Sequence, residues 1–361
     1  MRRHLFALLA CPLAVGALAV FPGTSLASSN KAAAAVASKD IARYLKVQTT
    51  LGGLTQKLKR IPKGKTIDYF GSSLPISQEF DAGIGAAAKA IGMKLTTINA
   101  GFTPQTISSA FSQAFQAPPA AILLLGTPAS EITPQLQEAQ AKHIPVITLF
   151  TSPSTYWAAN IFSNTQFARL GRLEADFVIA KSAAKANVAV FYEPELPGAA
   201  GTTAFIQSTF KSGCPSCVVG TQKLPLSGVA STDPAAVVSY LQAHPSVNWL
   251  LLEDAEDAVG VPAALAQAGI HGVKILTGGG NSVNYAYIKA GQQTADASQS
   301  PYFMGWALVN ATAQVLTHQA VQVGFIPLQF ITASAITWNI KNPWPAVPGY
   351  PKLFEKLWGV K

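Results

Sequence analysis

Residues 120–150 read AAILLLGTPASEITPQLQEAQAKHIPVITLF: an apolar run, a turn, a helix-forming stretch and a second apolar run. Ala120–Leu125 is apolar throughout, which is typical of a parallel strand covered on both faces. The residues that follow predict a helix over Glu131–Lys142 and a strand over Pro145–Phe150. A strand, a helix and a second parallel strand form the repeating unit of a doubly wound α/β sheet.

The same alternation continues on both sides of this stretch. Before it, strands are predicted at Thr66–Phe70 and Lys94–Asn99, each followed by a helix. After it, a long helix over Gln166–Ser182 starts a second series. Two doubly wound, parallel-sheet (Rossmann-like) domains with a ligand cleft between them are therefore expected. Further strands are predicted at Asn160–Ser163, Asn187–Tyr192, Cys217–Gly220, Asn248–Leu252, Lys274–Thr277, Thr294–Ser298 and Phe330–Trp338, with helices at 198–211, 234–243, 257–268 and 301–318 and a Pro-rich surface tail after 340.

The first residues have the pattern of an export signal. Basic residues at 1–4 precede an uncharged stretch over 5–21 and a small-x-small site at Ser25-Leu26-Ala27, so cleavage is expected after Ala27. The alternative is an uncleaved anchor, but the 17-residue apolar stretch is shorter than the roughly 20 residues that span a bilayer. Cys11 follows a lipobox-like Leu8-Leu9-Ala10, but only 10 residues precede it and the apolar stretch continues past it, which argues against a lipid anchor at this cysteine. An exported protein at the periplasm or the outer face of the envelope is predicted.

The composition favours a globular protein with large cores. Of 361 residues, 49% are hydrophobic and 12% are charged, and the net charge is +9. A basic balance can indicate nucleic-acid binding, but an exported protein rarely meets nucleic acid, so no nucleic-acid partner is expected. The protein is expected to be a monomer. The densest basic cluster precedes the first strand, in a tail with a helix over 28–62, and is interpreted as a solvated linker: Lys57, Lys59, Arg60, Lys63 and Lys65.

The two cysteines of the mature chain lie in Cys214-Pro215-Ser216-Cys217. In an oxidising compartment this spacing predicts a structural disulfide between Cys214 and Cys217. A redox pair would normally stand at the start of a helix, whereas this pair follows one. Zinc would need two more ligands, and the five histidines are scattered without metal spacing. No metal and no cofactor are expected.

Ligands of doubly wound sheets bind at the carboxyl ends of the strands, where helix N-termini supply free N–H donors. Residues just after the predicted strands are therefore the candidates for ligand contact. The acidic run at 253–257 could bind a cation or serve acid–base chemistry, although one ligand-facing carboxylate and a charged helix start is the favoured interpretation. The candidate set is Ser73, Gln78, Thr127, Phe150, Thr151, Trp157, Asn164, Tyr192, Glu193, Asp254, Asn281 and Gln299.

Several short segments, taken in order, resemble the type I periplasmic solute-binding proteins, the ribose- and galactose-binding group of ABC importers. The resemblance covers about residues 64–340. It is carried by Gly71-Ser72-Ser73-Leu74-Pro75, Phe80-Asp81-Ala82-Gly83, Ile144-Pro145-Val146-Ile147-Thr148, Asn164 with Arg169-Leu170, and Gly291 to Gln299 with Pro301-Tyr302-Phe303-Met304-Gly305.

The resemblance implies a two-domain protein that closes on a sugar-like small molecule and delivers it to the permease of an ABC transporter. It also implies a three-segment hinge near 163–164, 299–300 and 325–329. Gln299 matches the hinge glutamine that contacts sugar hydroxyls, and Asn164 matches the crossover asparagine. The implied organisation is a signal peptide over 1–27, a tail and helix over 28–63, domain I over 64–163 plus 300–326, and domain II over 164–299 plus 327–361.

The departures from the family pattern concern the residues that grip sugar hydroxyls. Phe150-Thr151 stands where sugar binders commonly have Asp-Arg, Ala204-Phe205 where a ligand arginine is expected, and Gly280-Asn281 where an aspartate is usual. These changes indicate a less polyhydroxylated ligand, or other residues that grip it. Aromatic side chains that could stack on such a ligand are Phe150, Tyr156, Trp157 and Tyr192.

Three other classes of protein share parts of this sequence pattern: a sensory receptor, a transcription regulator and an enzyme. A sensory receptor of the same fold stays open, whereas a lac-repressor-type regulator would need a helix-turn-helix where the export signal stands. The chain has no G-x-S-x-G, H-E-x-x-H or P-loop motif, so an enzyme is not expected. The run Gly83-Ile84-Gly85-Ala86-Ala87-Ala88 imitates a dinucleotide fingerprint, but it falls inside a predicted helix instead of at a strand–helix turn.

Overall fold

A computed structural model describes residues 26–342 and 344–360 of the chain. The first lobe is built on a five-stranded sheet in the order β2-β1-β3-β4-β5, and each of its neighbouring pairs is parallel. Its strands are Thr66–Gly71 (β1), Lys94–Asn99 (β2), Ala121–Leu125 (β3), Val146–Leu149 (β4) and Ala159–Ile161 (β5).

The second lobe contains a six-stranded sheet in the order β11-β10-β9-β8-β6-β7, in which only the pair of β10 with β11 is antiparallel. The predicted α/β fold with two parallel-strand sheets is confirmed. The last strand is shorter than the predicted 330–338, because the chain turns into a 3₁₀ helix at Ala333–Ala335. The strands are Asn187–Tyr192 (β6), Val218–Lys223 (β7), Trp249–Leu252 (β8), Lys274–Gly279 (β9), Ala295–Gln299 (β10) and Leu328–Ile331 (β11).

Eleven α-helices of the described chain connect and flank these strands, and many begin with proline in the first turn, where its missing N–H costs no hydrogen bond. The helix after β9 was not predicted from the sequence. Its start is fixed by a capping box between Asn281 and Asn284. The helices are Leu26–Ile41 (α1), Pro75–Ile91 (α2), Pro104–Gln116 (α3), Thr133–Ala141 (α4), Asn164–Lys181 (α5), Pro197–Gly213 (α6), Asp233–Ala243 (α7), Val261–Gln267 (α8), Ser282–Lys289 (α9), Pro301–Leu316 (α10) and Tyr350–Trp358 (α11).

Helices cover both faces of each sheet. In β1, Ile67 and Tyr69 pack with α2 and α10 on one face, whereas Phe70 packs with α3 and α4 on the other. In the second lobe, α1, α5 and α6 cover one face, and α7 and α8 cover the other. This double coverage explains why central strands such as β3 and β8 are apolar at every position.

Helices α2 and α10 approach so closely that glycines are required at their crossing. A Cβ atom built on Gly83 would lie 2.5 Å from the Tyr302 carbonyl oxygen, and one on Gly305 would lie 2.6 Å from the Ile84 nitrogen. The fingerprint-like run at 83–88 therefore serves helix packing inside α2.

Replacing Gly83 with alanine is expected to lower the free energy of unfolding by roughly 1–3 kcal/mol, because the backbones must move apart. Gly85→Ala in the same helix is the matched control, since its Cβ would meet only Leu95 Cδ2 at 3.6 Å. That change should be neutral, or stabilise by up to about 1 kcal/mol through helix propensity. Urea denaturation of both variants measures the difference, and equal stabilities would contradict the close-packing argument.

The N-terminal segment departs from the expected tail followed by a helix. The helix comes first, since α1 packs against α5 of the second lobe, and residues 46–65 then run as irregular chain to β1 of the first lobe. Gln322 Oε1 accepts hydrogen bonds from the Thr55 and Gln56 amides at 2.8 and 2.7 Å, and Gln319 Oε1 accepts one from the Lys59 amide at 2.8 Å. The basic side chains of this segment are exposed, as predicted for a solvated linker.

The C-terminal tail was predicted to lie on the surface and was assigned to domain II, but it packs into the core of the first lobe. Helix α11 lies against α2 and α10, and Phe354, Leu357 and Trp358 are buried there. The correction follows from an amphipathic pattern, since the apolar residues of α11 recur at helical spacing between Gly349 and Gly359.

Chain crossings between the lobes occur at the three expected places and at two more. The additional crossings are the N-terminal segment and the stretch that leads from β11 to α11. Phe162, at the crossing over 162–163, has a left-handed backbone with φ of 60°. The described crossings are 46–65, 162–163, 300, 317–327 and 332–349.

The predicted signal peptide over 1–27 and Cys11 lie almost entirely outside the described residues. None of the helices described is both long enough and apolar enough to cross a membrane.

Candidate ligand-binding site

A cavity of about 460 Å³ lies between the two lobes and is lined by residues of both. From the first lobe it receives the residues that follow β1, β3 and β4, including Ser72, Thr127 and Phe150. From the second lobe it receives the residues that end or follow β8 and β10, including Asp254 and Gln299. The cavity is therefore at the carboxyl ends of the strands, where doubly wound sheets bind their ligands.

Aromatic and aliphatic side chains form much of the cavity wall. The rings of Phe150 and Phe167 lie 6.4 Å apart between centroids, and Leu124 and Leu196 line the wall with them. Phe150 has a left-handed backbone with φ of 57°, an uncommon conformation for a bulky residue that is found most often at functional sites. Such a wall fits the flat or apolar face of a small ring.

Two buried glutamines present amide groups to the cavity. Gln166 accepts a 3.4 Å hydrogen bond from the Ile326 amide through Oε1, which leaves its Nε2 without a partner. Gln299 is 3% exposed, and its Nε2 also lacks a partner in the described structure. Since a buried unpaired donor is costly, both amides are suited to donate to ligand oxygens.

Carboxyl groups are the charged groups that line the cavity. Glu253 and Glu256 are buried, with relative exposures of 7% and 6%, and Glu253 Oε2 and Glu256 Oε1 have no hydrogen-bond partner among the described residues. Asp254 accepts a 2.9 Å hydrogen bond from the Glu256 amide. Glu131 and Glu195 lie nearer the surface of the same cavity.

Burial dominates the electrostatics of this acidic wall. Burial, together with a smaller contribution from the neighbouring Asp254, raises the pKa of Glu256 to about 7. Burial raises the pKa of Asp257, behind the wall, to about 8. The pKa values of Glu253 and Glu193 lie well above their usual range, because both groups are buried and face other carboxylates.

The predicted ligand-contact residues divide into two groups. Thr127, Phe150, Asp254 and Gln299 line the cavity. The others lie outside its lining: Ser73, Gln78, Thr151, Trp157, Asn164, Tyr192, Glu193 and Asn281. Tyr156 also lies outside the lining. The ligand contacts themselves stay a prediction.

Three of the residues outside the lining have structural bonds. The Thr151 hydroxyl donates to the Thr127 carbonyl at 3.0 Å, and Trp157 Nε1 donates to the Ser152 carbonyl at 3.1 Å within a hydrophobic core. Asn281 caps α9. Gln166 and Phe167 were not among the predicted candidates, although Gln166 begins a predicted helix. Glu253 and Glu256 were considered as members of the acidic run at 253–257 and were left out of the final candidate set.

The sulfur atoms of Cys214 and Cys217 lie within bonding distance, and their Cα atoms are 5.4 Å apart, as a disulfide requires. The turn between them holds α1, because the Ser216 hydroxyl donates to Asn30 Oδ1 at 2.7 Å. No group of three or more His, Cys, Asp or Glu side chains in the described ranges is arranged to hold a metal ion.

Comparison with known proteins gives consistent matches. The family model described as "Periplasmic binding protein domain" matches residues 27–320. The ribose import binding protein of Bacillus subtilis is 25% identical over 254 residues, which cover 69% of this chain and 80% of that protein.

Solved structures show the same fold at low sequence identity. The 5-methylthioribose transporter solute-binding protein of Thermotoga lettingae has a TM-score of 0.71 and 17% identity, and the match covers 84% of this chain and 99% of that one. A glucose-galactose binding protein of Geobacillus stearothermophilus has a TM-score of 0.68 and 20% identity, covering 76% of this chain and all of that one.

Proposed function

Because the chain belongs to the periplasmic binding protein family, we propose that it binds a small sugar-like solute between its lobes and delivers it to an ABC importer. The family is one of exported solute-binding proteins of ABC transporters, not of enzymes. The observation that carries the proposal is the interlobe cavity, whose buried amides of Gln166 and Gln299 lack partners in the described chain.

Hinge closure would distinguish the ligand-bound protein from the ligand-free protein for the importer. The cavity wall is divided between the lobes, so a ligand in contact with both favours the closed arrangement by the difference in its affinity for the two forms. Apart from the C-terminal tail, which packs on the first lobe, the predicted domain boundaries stand as parts of this proposal, as do the three-segment hinge and the roles of Gln299 and Asn164. Signal cleavage after Ala27, the Cys214–Cys217 disulfide and a monomeric state also stand as parts of it.

The apolar wall of the cavity favours particular ligands within the sugar-like class. Phe150 offers a ring face where sugar binders commonly have a charged residue, and Phe167 lies beside it in the cavity wall. A solute with one apolar face and a few hydroxyl groups matches this wall and the two amide donors better than a fully hydroxylated hexose does. The complex of the Thermotoga lettingae structural neighbour with 5-methylthioribose is consistent with such a solute.

A thermal-shift screen against pentoses, hexoses, polyols, amino sugars and nucleosides tests the proposal. A ligand at 100 times its Kd is expected to stabilise the protein by about 2.7 kcal/mol, which raises Tm by a few degrees. A screen without a hit in these classes would contradict the proposed function.

Gln299→Ala is expected to weaken binding of the identified solute by about 10-fold or more, because the side chain loses a buried hydrogen bond to it. The matched control is Gln140→Ala, an exposed position on α4 away from the cavity. Titration calorimetry of both variants measures the effect. An unchanged Kd in Gln299→Ala would remove Gln299 from the site.

A further inference from the structure

The acidic wall of the cavity continues into the second lobe as one cluster of carboxyl groups. Glu253 and Glu256 face the cavity, and Glu174, Glu193 and Asp257 lie behind them with exposures of 0%. Glu174 lies close under the cavity surface, because a Cβ atom built on the cavity-lining Gly278 would be 2.8 Å from Glu174 Oε1. The cluster is thus assembled from α5 and from the segments that follow β6 and β8.

The cluster has no basic partner in the part of the chain that the structure describes. The charged neighbours that raise the pKa values of Glu174, Glu193 and Glu253 are carboxyl groups. No Lys, Arg or His side chain is among the described residues that line the cavity. The two ion pairs, Lys142–Glu138 and Arg172–Asp40, lie outside the cluster. A protein with a net charge of +9 therefore has an interlobe cavity whose charged groups are all acidic.

Several of these buried oxygens also lack hydrogen-bond partners. Both carboxylate oxygens of Glu174 and the Oε2 atom of Glu253 have no donor within the described ranges. Glu193 and Asp257 hydrogen-bond to each other, which requires a proton on one of the two carboxyls. Buried carboxyl groups normally have a hydrogen bond or a counter-charge, because burial of an unpaired charge is expensive. In the ligand-free protein the raised pKa values keep much of this cluster protonated, and a cation bound in the cavity can take the place of a proton on Glu253 or Glu256.

We propose that the ligand is a cation, namely a sugar-like solute with a protonated amine that faces Glu253 and Glu256. This inference rests on the proposed function and names the chemical class of its ligand. A protonated amine supplies three N–H donors and a positive charge, which suit unpartnered carboxylate oxygens.

The rest of the cavity fits the other end of such a solute. The unpartnered Nε2 atoms of Gln166 and Gln299 need acceptors, which ligand hydroxyl or ring oxygens provide. Phe150 and Phe167 can cover an apolar ring face. A metal ion is disfavoured as the counter-charge, because the acidic groups described do not have the arrangement that a metal needs.

Binding of matched pairs of sugars tests the charge requirement. Titration calorimetry at neutral pH compares D-glucosamine, D-galactosamine and D-mannosamine with D-glucose, D-galactose and D-mannose, and with the uncharged N-acetyl forms of the amines. At least one amine is expected to bind about 10-fold or more tightly than its neutral counterpart. Putrescine, calcium chloride and magnesium chloride complete the panel.

Two variants link the selectivity to the cluster. In Glu253→Gln the preference for the amine over the neutral sugar is expected to fall by about 10-fold, because the amide keeps the shape of the side chain and loses its negative charge. The matched control Glu138→Gln removes an exposed carboxylate of α4 and should leave the preference unchanged. Circular dichroism confirms that both variants are folded.

The outcomes separate this inference from the proposed function. If the neutral sugars bind as tightly as the matching amino sugars, the proposal of a cationic ligand is wrong, whereas the proposed function still stands. Binding of putrescine alone would support the cation and overturn the sugar-like body. Stabilisation by calcium or magnesium without any amine binding would overturn the organic cation in favour of a metal ion. If no member of the panel binds, both the inference and the proposed function fail.

Discussion

The ligand-free protein is expected to lose stability as the pH rises from about 5 to about 8. Burial, assisted by neighbouring carboxylates, raises the pKa of Asp257 to about 8, and burial raises the pKa of Glu256 and of Asp296 to about 7. In the unfolded chain these groups release their protons near pH 4. The folded protein therefore holds more protons between these limits, and the stability present at about pH 4 is lost as the pH rises through 7 to 8.

The size of this effect follows from the shifts. Each pKa unit corresponds to about 1.4 kcal/mol, so several raised groups together predict a loss of several kcal/mol and a fall in Tm of roughly 5 °C or more. Calorimetry of the ligand-free protein across this pH range measures it. The Asp257→Asn variant provides the control, because its curve should be flatter above about pH 6. A wild-type Tm that rises steadily towards pH 8 would show that the cluster is neutralised by another group.

Phe354→Ala is expected to lower the free energy of unfolding by about 3–5 kcal/mol. The Phe354 ring is fully buried in the first-lobe core and lies 5.5 Å from Phe303, 5.7 Å from Trp306 and 5.5 Å from Trp358 between centroids. Truncation removes these contacts and leaves a cavity among three aromatic rings, which the helices α10 and α11 cannot close without moving.

Leu353→Ala is the matched control, because the neighbouring Leu353 is 37% exposed on the same helix. Leu353→Ala should lower the free energy of unfolding by less than about 1 kcal/mol. Urea denaturation of the two variants gives the comparison. Similar losses for both would mean that α11 is only loosely attached, and the tail would then be a surface element as the sequence analysis expected.

The fold was predictable because its signals are local. Uniformly apolar strands such as Ala121–Leu125 and Trp249–Leu252, separated by helical stretches, predict covered parallel strands without knowledge of their neighbours. Helix α9 and helix α11 were missed although they had local signals, namely the capping box at Asn281 and the apolar spacing around Phe354. The long Pro-rich stretch before α11 obscured the second of these.

The site was only partly predictable, because its acidic cluster forms from residues that are far apart in the chain. Asp254 and Gln299 were selected from their positions at strand ends, and the structure places both at the cavity. Glu174, by contrast, lies in the middle of a predicted helix, where a carboxylate normally faces solvent. Its burial beside Glu253 depends on packing of α5 against the second sheet, which brings together residues that are far apart in the chain.

The packing of both chain ends has a consequence for the order of folding during synthesis. Helix α11 completes the core of the first lobe, although that lobe begins with β1 nearly 300 residues earlier. Domains made first usually fold first as the chain emerges. Here the first lobe is expected to reach its native packing only after α11 has been translated, and therefore after all strands of the second lobe have been made.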